Sequence, residues 1–392
     1  MPSSLRIAID GRTLTGRFTG DRTYWRNLLR ALLKLDVESE YHVFTRIPLP
    51  EGELPFAPNL FVHYLPAKSD RLWLLWTFPM ALRVLQPDVV HVQYTVPPRT
   101  LCPYPLVTTV HDISFRLHPE WFELKDRLLM NFTVPPSMRR ADRVLTVSET
   151  SRQQILKAYN LSPEKVIATP LGVSEEFILS SEEALLSTEA LRENAKRVVA
   201  ERLGVTKPFV LAVGVLQPRK NLPLLAEAFG RAKIKYHLPH QLVLTGKIGW
   251  GAQSEALREA WARSGAEKEA LVLTGYVEDR DVPLLMRACD LFAHPALFEG
   301  FGLPVVEAMA SGAPVVVSEA PPMPEIAGDA ALRFEGRSVE AWSEGLARVL
   351  QSEELRAALS AKGREHAKQY TWERMAEGVR QSYNEARKVL GV

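Results

Sequence analysis

Two glutamates, Glu299 and Glu307, stand on either side of a seven-residue turn segment. Ionised carboxylates accept strong hydrogen bonds from hydroxyl groups, so a pair of them at a turn suits a ligand with many hydroxyls, such as a sugar. A second interpretation carries equal weight on spacing alone. In it, Glu307 offsets a helix dipole and Glu299 is a solvated loop acid.

The residues between the two acids predict the start of a helix. Gly302 belongs to a glycine-containing loop, and Pro304 suits a first helical turn because its φ is fixed near the helical value. We predict a helix from about Pro304 to Ser311, with Glu307 in its first turn. The unpaired N–H groups at such a start, near Gly302 and Leu303, can bind an anion.

Two adjacent cations, Arg219 and Lys220, follow the apolar run Phe209–Val213 and a loop that begins at Gly214. An arginine fork and a lysine point charge together suit the dense negative charge of a diphosphate. The alternative is a solvated basic pair at a helix start. That placement is unfavourable against the helix dipole, so phosphate binding is the favoured interpretation.

The ordered set of motifs resembles the retaining GT-B glycosyltransferases of family four. Glu299 and Glu307, with Phe301 to Pro304 between them, match the family's E-x7-E signature. Other segments match in the family's order over nearly the whole chain: Ile7–Asp10, His111-Asp112, Val147–Glu149, Pro170–Val173, Gly214–Asn221 and Gly275–Val277.

The resemblance implies a role for each residue of the set. In this family the donor is a nucleotide diphosphate sugar, and the matching histidine lies beside the donor sugar. The expected sugar and diphosphate contacts are Glu299, His111, Arg219 and Lys220, with the amides of Phe301, Gly302 and Leu303. Glu307 is expected at the ribose, Tyr276 and Val277 along the base, and Gly214 and Gly20 close to the nucleotide.

The loop after the first strand departs from the family pattern. It lacks the double glycine of many relatives, and Asp21-Arg22-Thr23 stands where some relatives have Ile-Gly-Arg. We therefore expect Arg17, Asp21 or Arg22 to address the acceptor. Asp112 is interpreted as a turn or cap residue.

Strands alternating with helices occur twice along the chain, which predicts two parallel sheets with helices on both faces. The resemblance makes this a GT-B fold, that is, an α/β fold of two doubly wound Rossmann-like domains facing a central cleft. We expect an acceptor-binding domain at 1–180 and a donor-binding domain at 181–392. The predicted strands are Ile7–Ile9, Val89–Val92, Leu106–Val110, Val144–Val147 and Val166–Ala168, then Phe209–Val213, Leu242–Leu244, Leu271–Leu273, Leu291–Ala293 and Val315–Val317.

Three helical segments carry further expectations. A polar helix over Ser180–Arg202 is predicted to bridge the domains, and the family implies that a last helix, about 372–392, crosses back onto the first domain. The apolar stretch Leu72–Met80 is interpreted as a buried helix rather than an interfacial one. Lys125–Arg140 is interpreted as an ordinary amphipathic surface.

Composition fits a globular enzyme: 46% of the residues are hydrophobic and 24% charged. Cys102 and Cys289 are the two cysteines, so a disulfide framework is not expected. No signal sequence is recognised, which predicts a cytoplasmic protein, associated with the inner face of the membrane. Basic residues outnumber acidic ones in the first half, which suits a peripheral contact with an anionic surface.

The sequence thus predicts transfer of a hexosyl group, mannose first, with retention of configuration. GDP-mannose is the leading donor and UDP-glucose the next; the acceptor is a hydroxyl of a glycan, a lipid-linked sugar or a small molecule, as in polysaccharide biosynthesis. No metal, cofactor or nucleic acid is expected. The alternatives are a sugar-nucleotide epimerase on the same scaffold and a non-catalytic two-lobed sugar-binding protein.

Overall fold

Two parallel sheets organise the chain, each within its own unit. The computed structural model describes residues 4–15, 20–178, 188–247 and 253–389. One unit comprises Met1–Gly172 with Thr371–Val392, and the other comprises Val173–Tyr370. The first sheet has seven strands and the second has six, and all recorded strand pairs are parallel.

The strand order of the first sheet is β3-β2-β1-β4-β5-β6-β7. Two of these strands were not predicted, because both mix polar with apolar residues and so lack an apolar run. They are β2 with the sequence EYHVFT and β3 with LFVHY, and β3 lies at the sheet edge. The bounds are β1 Arg6–Asp10, β2 Glu40–Thr45, β3 Leu60–Tyr64, β4 Val89–Gln93, β5 Leu106–Thr109, β6 Arg143–Thr146 and β7 Val166–Ala168.

In the described part of the first unit, six α-helices precede the boundary. Asp70–Leu72 and Phe78–Leu85 are joined by a π-helical turn, so the helix predicted over Leu72–Met80 is continuous. The prediction that this helix is buried holds for one of its faces only. Trp73, Phe78 and Leu82 are buried, but Trp76 is 62% exposed, because the helix covers the sheet with one face only. The bounds are α1 Gly20–Leu35, α2 Asp70–Leu72, α3 Phe78–Leu85, α4 Ser114–Leu117, α5 Leu124–Arg140 and α6 Glu149–Tyr159.

The second sheet follows the order β10-β9-β8-β11-β12-β13. Its central strands are rich in valine and leucine and are buried on both faces, as a parallel sheet covered by helices requires. The sixth strand, β13, has only three residues and was not predicted. The bounds are β8 Phe209–Val213, β9 Gln241–Thr245, β10 Leu271–Gly275, β11 Leu291–His294, β12 Val315–Ser318 and β13 Leu332–Phe334.

Among the described residues, eight α-helices belong to the second unit. The first of them is the polar helix that was predicted to bridge the two domains. Its described part does not bridge them, because ion pairs from Arg192 to Asp290 and from Arg202 to Asp281 attach it within the second unit. Its predicted start lies outside the described residues. The bounds are α7 Thr188–Leu203, α8 Leu222–Lys235, α9 Gln253–Ser264, α10 Val282–Ala288, α11 Leu303–Ala310, α12 Met323–Ala327, α13 Val339–Gln351 and α14 Glu353–Ala367.

The helix α15, Trp372–Val389, returns to the first unit. It packs on α1 and on the strands β4 to β6. Tyr383 is fully buried there, with its hydroxyl 2.7 Å from Nδ1 of His91. The chain approaches so closely at Gly172 that a Cβ atom there would lie 2.1 Å from the backbone nitrogen of Trp372.

Two further findings concern the whole described chain. Cys102 and Cys289 are buried free thiols. Over residues 4–15, 20–178, 188–247 and 253–389, no helix combines the length and the apolar character needed to cross a membrane.

Candidate active site

In each sheet, the strand order reverses between two central strands. In the first sheet, β2 and β3 lie on one side of β1 and β4 to β7 lie on the other, so the switch point is between β1 and β4. In the second sheet the switch point is between β8 and β11. Open α/β sheets bind their ligands beyond the carboxyl ends of the strands at such a switch point. The predicted site residues are therefore expected at these two edges.

In the second unit, β8 ends at Val213 and is followed by Gly214. The side chain of Lys220 folds back over this glycine. Gly214 has φ of 145°, and a Cβ atom there would lie 3.2 Å from Cε of Lys220. A short turn, Pro218–Lys220, then leads into α8. The glycine thus leaves room for a lysine side chain that is 9% exposed.

Glu299 is brought together with both predicted cations. Arg219 pairs with Oε2 of Glu299, and Nζ of Lys220 lies 2.5 Å from Oε1 as a charge pair without hydrogen-bond alignment. Arg219 also donates to the carbonyl oxygen of Phe298, at 3.3 Å. We name Arg219, Lys220 and Glu299 the charged triad.

The triad holds Glu299 in its ionised form. Burial alone would raise the pKa of Glu299, but Arg219 and Lys220 hold that pKa well below its usual range. Burial lowers the pKa of Lys220, although Glu299 acts in the opposite direction. A carboxylate that two cations engage at once is poorly placed to act as a nucleophile.

His294 is a fourth member of this neighbourhood that the sequence did not reveal. It ends β11, is 2% exposed, and its Nε2 lies 3.4 Å from Oε1 of Glu299. Burial lowers its pKa. The available signal was a polar residue directly after the apolar run Leu291–Ala293, at a strand end where ligand-binding residues collect.

The loop after Glu299 enters α11 through Gly302, whose φ of 95° favours glycine. A Cβ atom there would also lie 2.4 Å from Cε of Met323. The helix begins at Leu303, one residue earlier than predicted. Glu307 is therefore its fifth residue, and its predicted place in the first turn is wrong.

Glu307 is 8% exposed, and no cation pairs with it among the residues that the structure describes. Burial, followed by the nearby acids Glu176 and Asp279, raises its pKa to about 8. The pKa values of the two signature glutamates thus shift in opposite directions, downward for Glu299 and upward for Glu307.

The predicted base-binding segment follows β10. Gly275 turns with φ of 69°, Tyr276 is 45% exposed and Val277 is buried. Nζ of Lys247, from the end of the neighbouring strand β9, lies 4.7 Å from the centroid of the Tyr276 ring. This segment follows β10 and α11 follows β11, and the carboxyl ends of strands in a parallel sheet lie at the same edge.

In the first unit, His111 follows β5 at the corresponding edge. Its Nε2 lies 3.1 Å from Nε2 of Gln93, the last residue of β4, and 3.3 Å from Oδ1 of Asp21. The Tyr24 ring meets the imidazole edge-on, with 4.9 Å between centroids. Asp112 accepts hydrogen bonds from the backbone nitrogen and hydroxyl of Ser114, in line with its interpretation as a turn residue.

The loop after β1 is only partly described. Arg17 lies outside the described residues, and Gly20 begins α1 with open space where a Cβ atom would stand. Arg22 donates to Oε1 of Glu53 at 2.9 Å, so its guanidinium is engaged by an acid of the same unit. Of the two described candidates, Asp21 and Arg22, it is Asp21 that lies beside His111.

Two family models match the chain. The model described as Glycosyltransferase Family 4 covers residues 19–177, and that described as Glycosyl transferases group 1 covers residues 194–366. The O-antigen chain mannosyltransferase B of Escherichia coli is 34% identical over 274 residues, which is 68% of this chain and 67% of that protein. The chain therefore belongs to glycosyltransferase family 4.

Other relatives extend the comparison. The serotype-specific mannosyltransferase WbdA of Escherichia coli is 26% identical over 305 residues, 75% of this chain but only 36% of that longer protein. The structure of Anabaena HepE in complex with UDP-glucose aligns with a TM-score of 0.72 and 18% identity, covering 96% of this chain and all of that one.

These findings define a glycosyltransferase with the two-domain GT-B fold, as the motifs predicted. The chain is similar to mannosyltransferases of O-antigen synthesis. The family matches and the named relatives favour a transferase over the two alternatives, a sugar-nucleotide epimerase and a non-catalytic sugar-binding protein.

Proposed function

We propose that the chain transfers a mannosyl group from a nucleoside diphosphate sugar to an acceptor hydroxyl, with retention of the anomeric configuration. The charged triad at the switch point of the second sheet is the observation that carries this proposal. Mannose is favoured because two of the relatives, the O-antigen chain mannosyltransferase B and WbdA, are named mannosyltransferases. GDP-mannose is the leading donor and UDP-glucose, which HepE binds, is the second.

The donor diphosphate would bind at the two cations of the triad. Arg219 and Lys220 stand at the end of β8, where their charges are balanced by one carboxylate. As the anomeric bond to phosphate breaks, negative charge grows on the departing diphosphate, and fixed cations stabilise it. Gly214, which has no side chain to obstruct the approach, would lie against the phosphates.

The hydroxyl contacts would come from the two glutamates and the start of α11. Glu299 and the amides of Phe301, Gly302 and Leu303 would bind the donor sugar, together with His111 of the first unit. Glu307 would bind the ribose. Tyr276 and Val277 would lie along the base and Gly20 near the nucleotide.

Retention is proposed through a front-face substitution. The bond from the anomeric carbon to the phosphate oxygen breaks, and a bond to the acceptor oxygen forms on the same face. The acceptor proton passes to the departing phosphate oxygen. Because Glu299 is engaged by two cations, no carboxylate is assigned as a nucleophile, and positioning with charge stabilisation supplies the catalysis.

Each domain would have its own substrate. The second, proposed as 181–392 without its last helix, would bind the donor, since the triad and the base-binding segment lie there. The first, proposed as 1–180, would bind a glycan, lipid-linked or small-molecule acceptor beyond β1, where Asp21 stands. Cytoplasmic synthesis of a polysaccharide is the proposed setting, supported by the O-antigen relatives.

A donor panel tests this function. GDP-mannose, UDP-glucose and related nucleotide sugars are offered with mannose-terminated acceptors, and the product anomer is determined by NMR. Binding of the correct donor raises Tm according to its affinity. Transfer with retention from GDP-mannose is expected; an inverted product would exclude the mechanism, and turnover of UDP-glucose alone would exclude the favoured donor.

A peripheral membrane contact is also proposed for the first unit. On α5, the apolar side chains Leu124, Leu128 and Phe132, four residues apart, are 61%, 58% and 81% exposed. An ordinary amphipathic surface was predicted for this stretch, and these three side chains add an exposed apolar row to it. Lys125 and Arg139 are exposed on the same helix, which suits an anionic lipid surface.

The helix segment α2–α3 adds a second exposed apolar row. Leu72, Trp76, Met80 and Val84 are 42%, 62%, 42% and 87% exposed. The buried faces of α3 and α5 contribute to one core cluster, so both helices cover the same face of the first sheet. Apolar surface of this extent on a soluble domain marks an interaction site.

Vesicle flotation tests this contact. The chain is expected to float with vesicles of phosphatidylglycerol and phosphatidylcholine, and a Leu128→Ser, Phe132→Ser variant is expected to bind at least about tenfold more weakly. Leu359→Ala, in the core of the second unit, serves as a control for general destabilisation. Equal flotation of the double variant would refute the assigned surface.

A further inference from the structure

One ring nitrogen of His111, Nε2, lies close to two polar side chains. Nε2 lies 3.3 Å from Oδ1 of Asp21 and 3.1 Å from the side-chain nitrogen of Gln93. The three residues come from separate elements, namely the first turn of α1, the end of β4 and the segment after β5. Nδ1 has no hydrogen-bond partner among the residues that the structure describes.

A carboxylate can only accept, so the contact with Asp21 requires a proton on Nε2. The amide nitrogen of Gln93 also donates, and two donors cannot share one proton-bearing nitrogen. Gln93 can resolve this conflict by rotating its amide by 180°, because the hydroxyl of Thr13, 2.9 Å from its oxygen, can accept as well as donate. The oxygen of Gln93 then accepts from Nε2–H, as Asp21 does, and the conflict between two donors is removed.

We propose that Asp21 is a positioning residue that keeps the proton of His111 on Nε2 and leaves Nδ1 to accept a hydrogen bond from a sugar hydroxyl. A histidine tautomer is set by the hydrogen bond that its other nitrogen makes. The edge-on Tyr24 ring holds the imidazole plane in place. The role at the sugar rests on the proposed function, but the position of the proton does not.

A ligand can reach the pair of Asp21 and His111 from solvent. His111 has a side-chain exposure of 14% and Asp21 of 35%, so the imidazole stays held while one of its faces remains accessible. Asp21 would thus act on the conformation of His111, beyond any contact with an acceptor.

Nitrogen NMR tests the proton position directly. The full chain is labelled with ¹⁵N-histidine, and the His111 signals are assigned by their loss in His111→Gln. The expected spectrum shows a protonated Nε2 and an unprotonated Nδ1 in the wild type. In Asp21→Asn, whose amide can donate to Nε2, the proton is expected to move to Nδ1. A wild-type spectrum with an unprotonated Nε2, or no change in Asp21→Asn, would overturn the proposal.

Kinetics test the consequence at the sugar. We expect Asp21→Asn to lower kcat about tenfold, with KM for the donor within about twofold, and Asp21→Glu to restore part of the rate. Asp329→Asn, an exposed carboxylate on the second unit, is the control. Normal kcat in Asp21→Asn despite a moved proton refutes the positioning role. If no donor is turned over at all, the proposed function fails, while the NMR result still decides the tautomer.

Discussion

Glu299 and Glu307 belong to one loop and helix and are equally buried, at 7% and 8% exposure, yet their pKa values shift in opposite directions. Arg219 and Lys220 hold the pKa of Glu299 well below its usual range, against the effect of burial. Burial, with the nearby acids Glu176 and Asp279, raises the pKa of Glu307 to about 8. Burial penalises the charge on both, so the neighbours decide which carboxyl keeps its proton.

The difference shows what a motif leaves undetermined. Two identical residue types at a fixed spacing predict two equivalent carboxylates. The cations of the triad, however, lie in the turn after β8, far from Glu299 in sequence. Their arrival makes Glu299 a purely accepting group and leaves Glu307 able to donate as well as accept. The two glutamates should therefore respond in opposite ways to the same substitution.

The largest expected effect is on folding stability in Glu299→Gln. Removing the charge leaves Lys220 buried without its counterion, which costs about 3 kcal/mol when one partner of a buried pair is lost. Denaturant unfolding of the purified chain measures it. Stability at or above the wild-type value would show that the triad does not hold this loop.

Glu227→Gln is the matched control for that variant. Glu227 is 7% exposed and pairs with Arg231 and Arg263, as Glu299 pairs with its two cations. It lies on α8, outside the predicted site. The control is expected to lose stability but to keep the transfer rate per folded molecule.

Transfer activity comes next. Arg219→Ala, Lys220→Ala and Glu299→Ala are each expected to slow transfer at least about tenfold, or about 1.4 kcal/mol of transition-state stabilisation. Initial rates at saturating donor measure this, with Arg231→Ala as the control. Wild-type rates in all three variants would remove the triad from the site.

An effect of opposite sign is expected in Glu307→Gln. Because the pKa of Glu307 is raised to about 8, the folded state holds a proton that the unfolded state releases near its ordinary pKa of 4.5. Wild-type stability therefore falls as pH rises from 4.5 to about 8. The variant lacks this loss, so its Tm should exceed that of the wild type by more at pH 9 than at pH 5.

Melting curves at the two pH values decide that prediction. Each kcal/mol is expected to shift Tm by about 2–4 °C in a domain of this size. The same Tm difference at pH 5 and pH 9 would mean that Glu307 is ionised in the folded protein, and the contrast with Glu299 would disappear.

The smallest effect is expected in Gly302→Ala, between the two acids. An alanine at φ of 95° is strained, and its Cβ displaces the flexible end of Met323. A loss of about 1 kcal/mol is expected from the backbone strain. Unfolding measurements check it against Gly20→Ala, whose Cβ meets open space; equal stability in the two variants would contradict it.

The family and the two-domain fold followed from the sequence, because ordered motifs and apolar runs are local signals. The roles of the site residues stay predictions. The sequence did not predict the strands β2, β3 and β13, because they lack apolar runs. It also did not predict the positions of His294 and Gln93 in the site. Each of those two side chains acquires its meaning from a partner on another element, Glu299 for one and His111 for the other.

The exposed rows on α3 and α5 were missed for a different physical reason. Apolar periodicity shows that a helix has an apolar face but not how much of it the sheet covers. Trp73 and Trp76 are close in sequence, and one is buried while the other is 62% exposed.

The return of α15 to the first unit sets the order in which the protein can mature on the ribosome. The second unit is one continuous stretch of chain and can close as soon as it has emerged. The first unit emerges earlier, but the side of its sheet that Met375, Val379 and Tyr383 cover stays open until these residues have been synthesised. The first domain to leave the ribosome is thus the last to be completed, and a nascent chain halted before residue 371 would display an unfinished core.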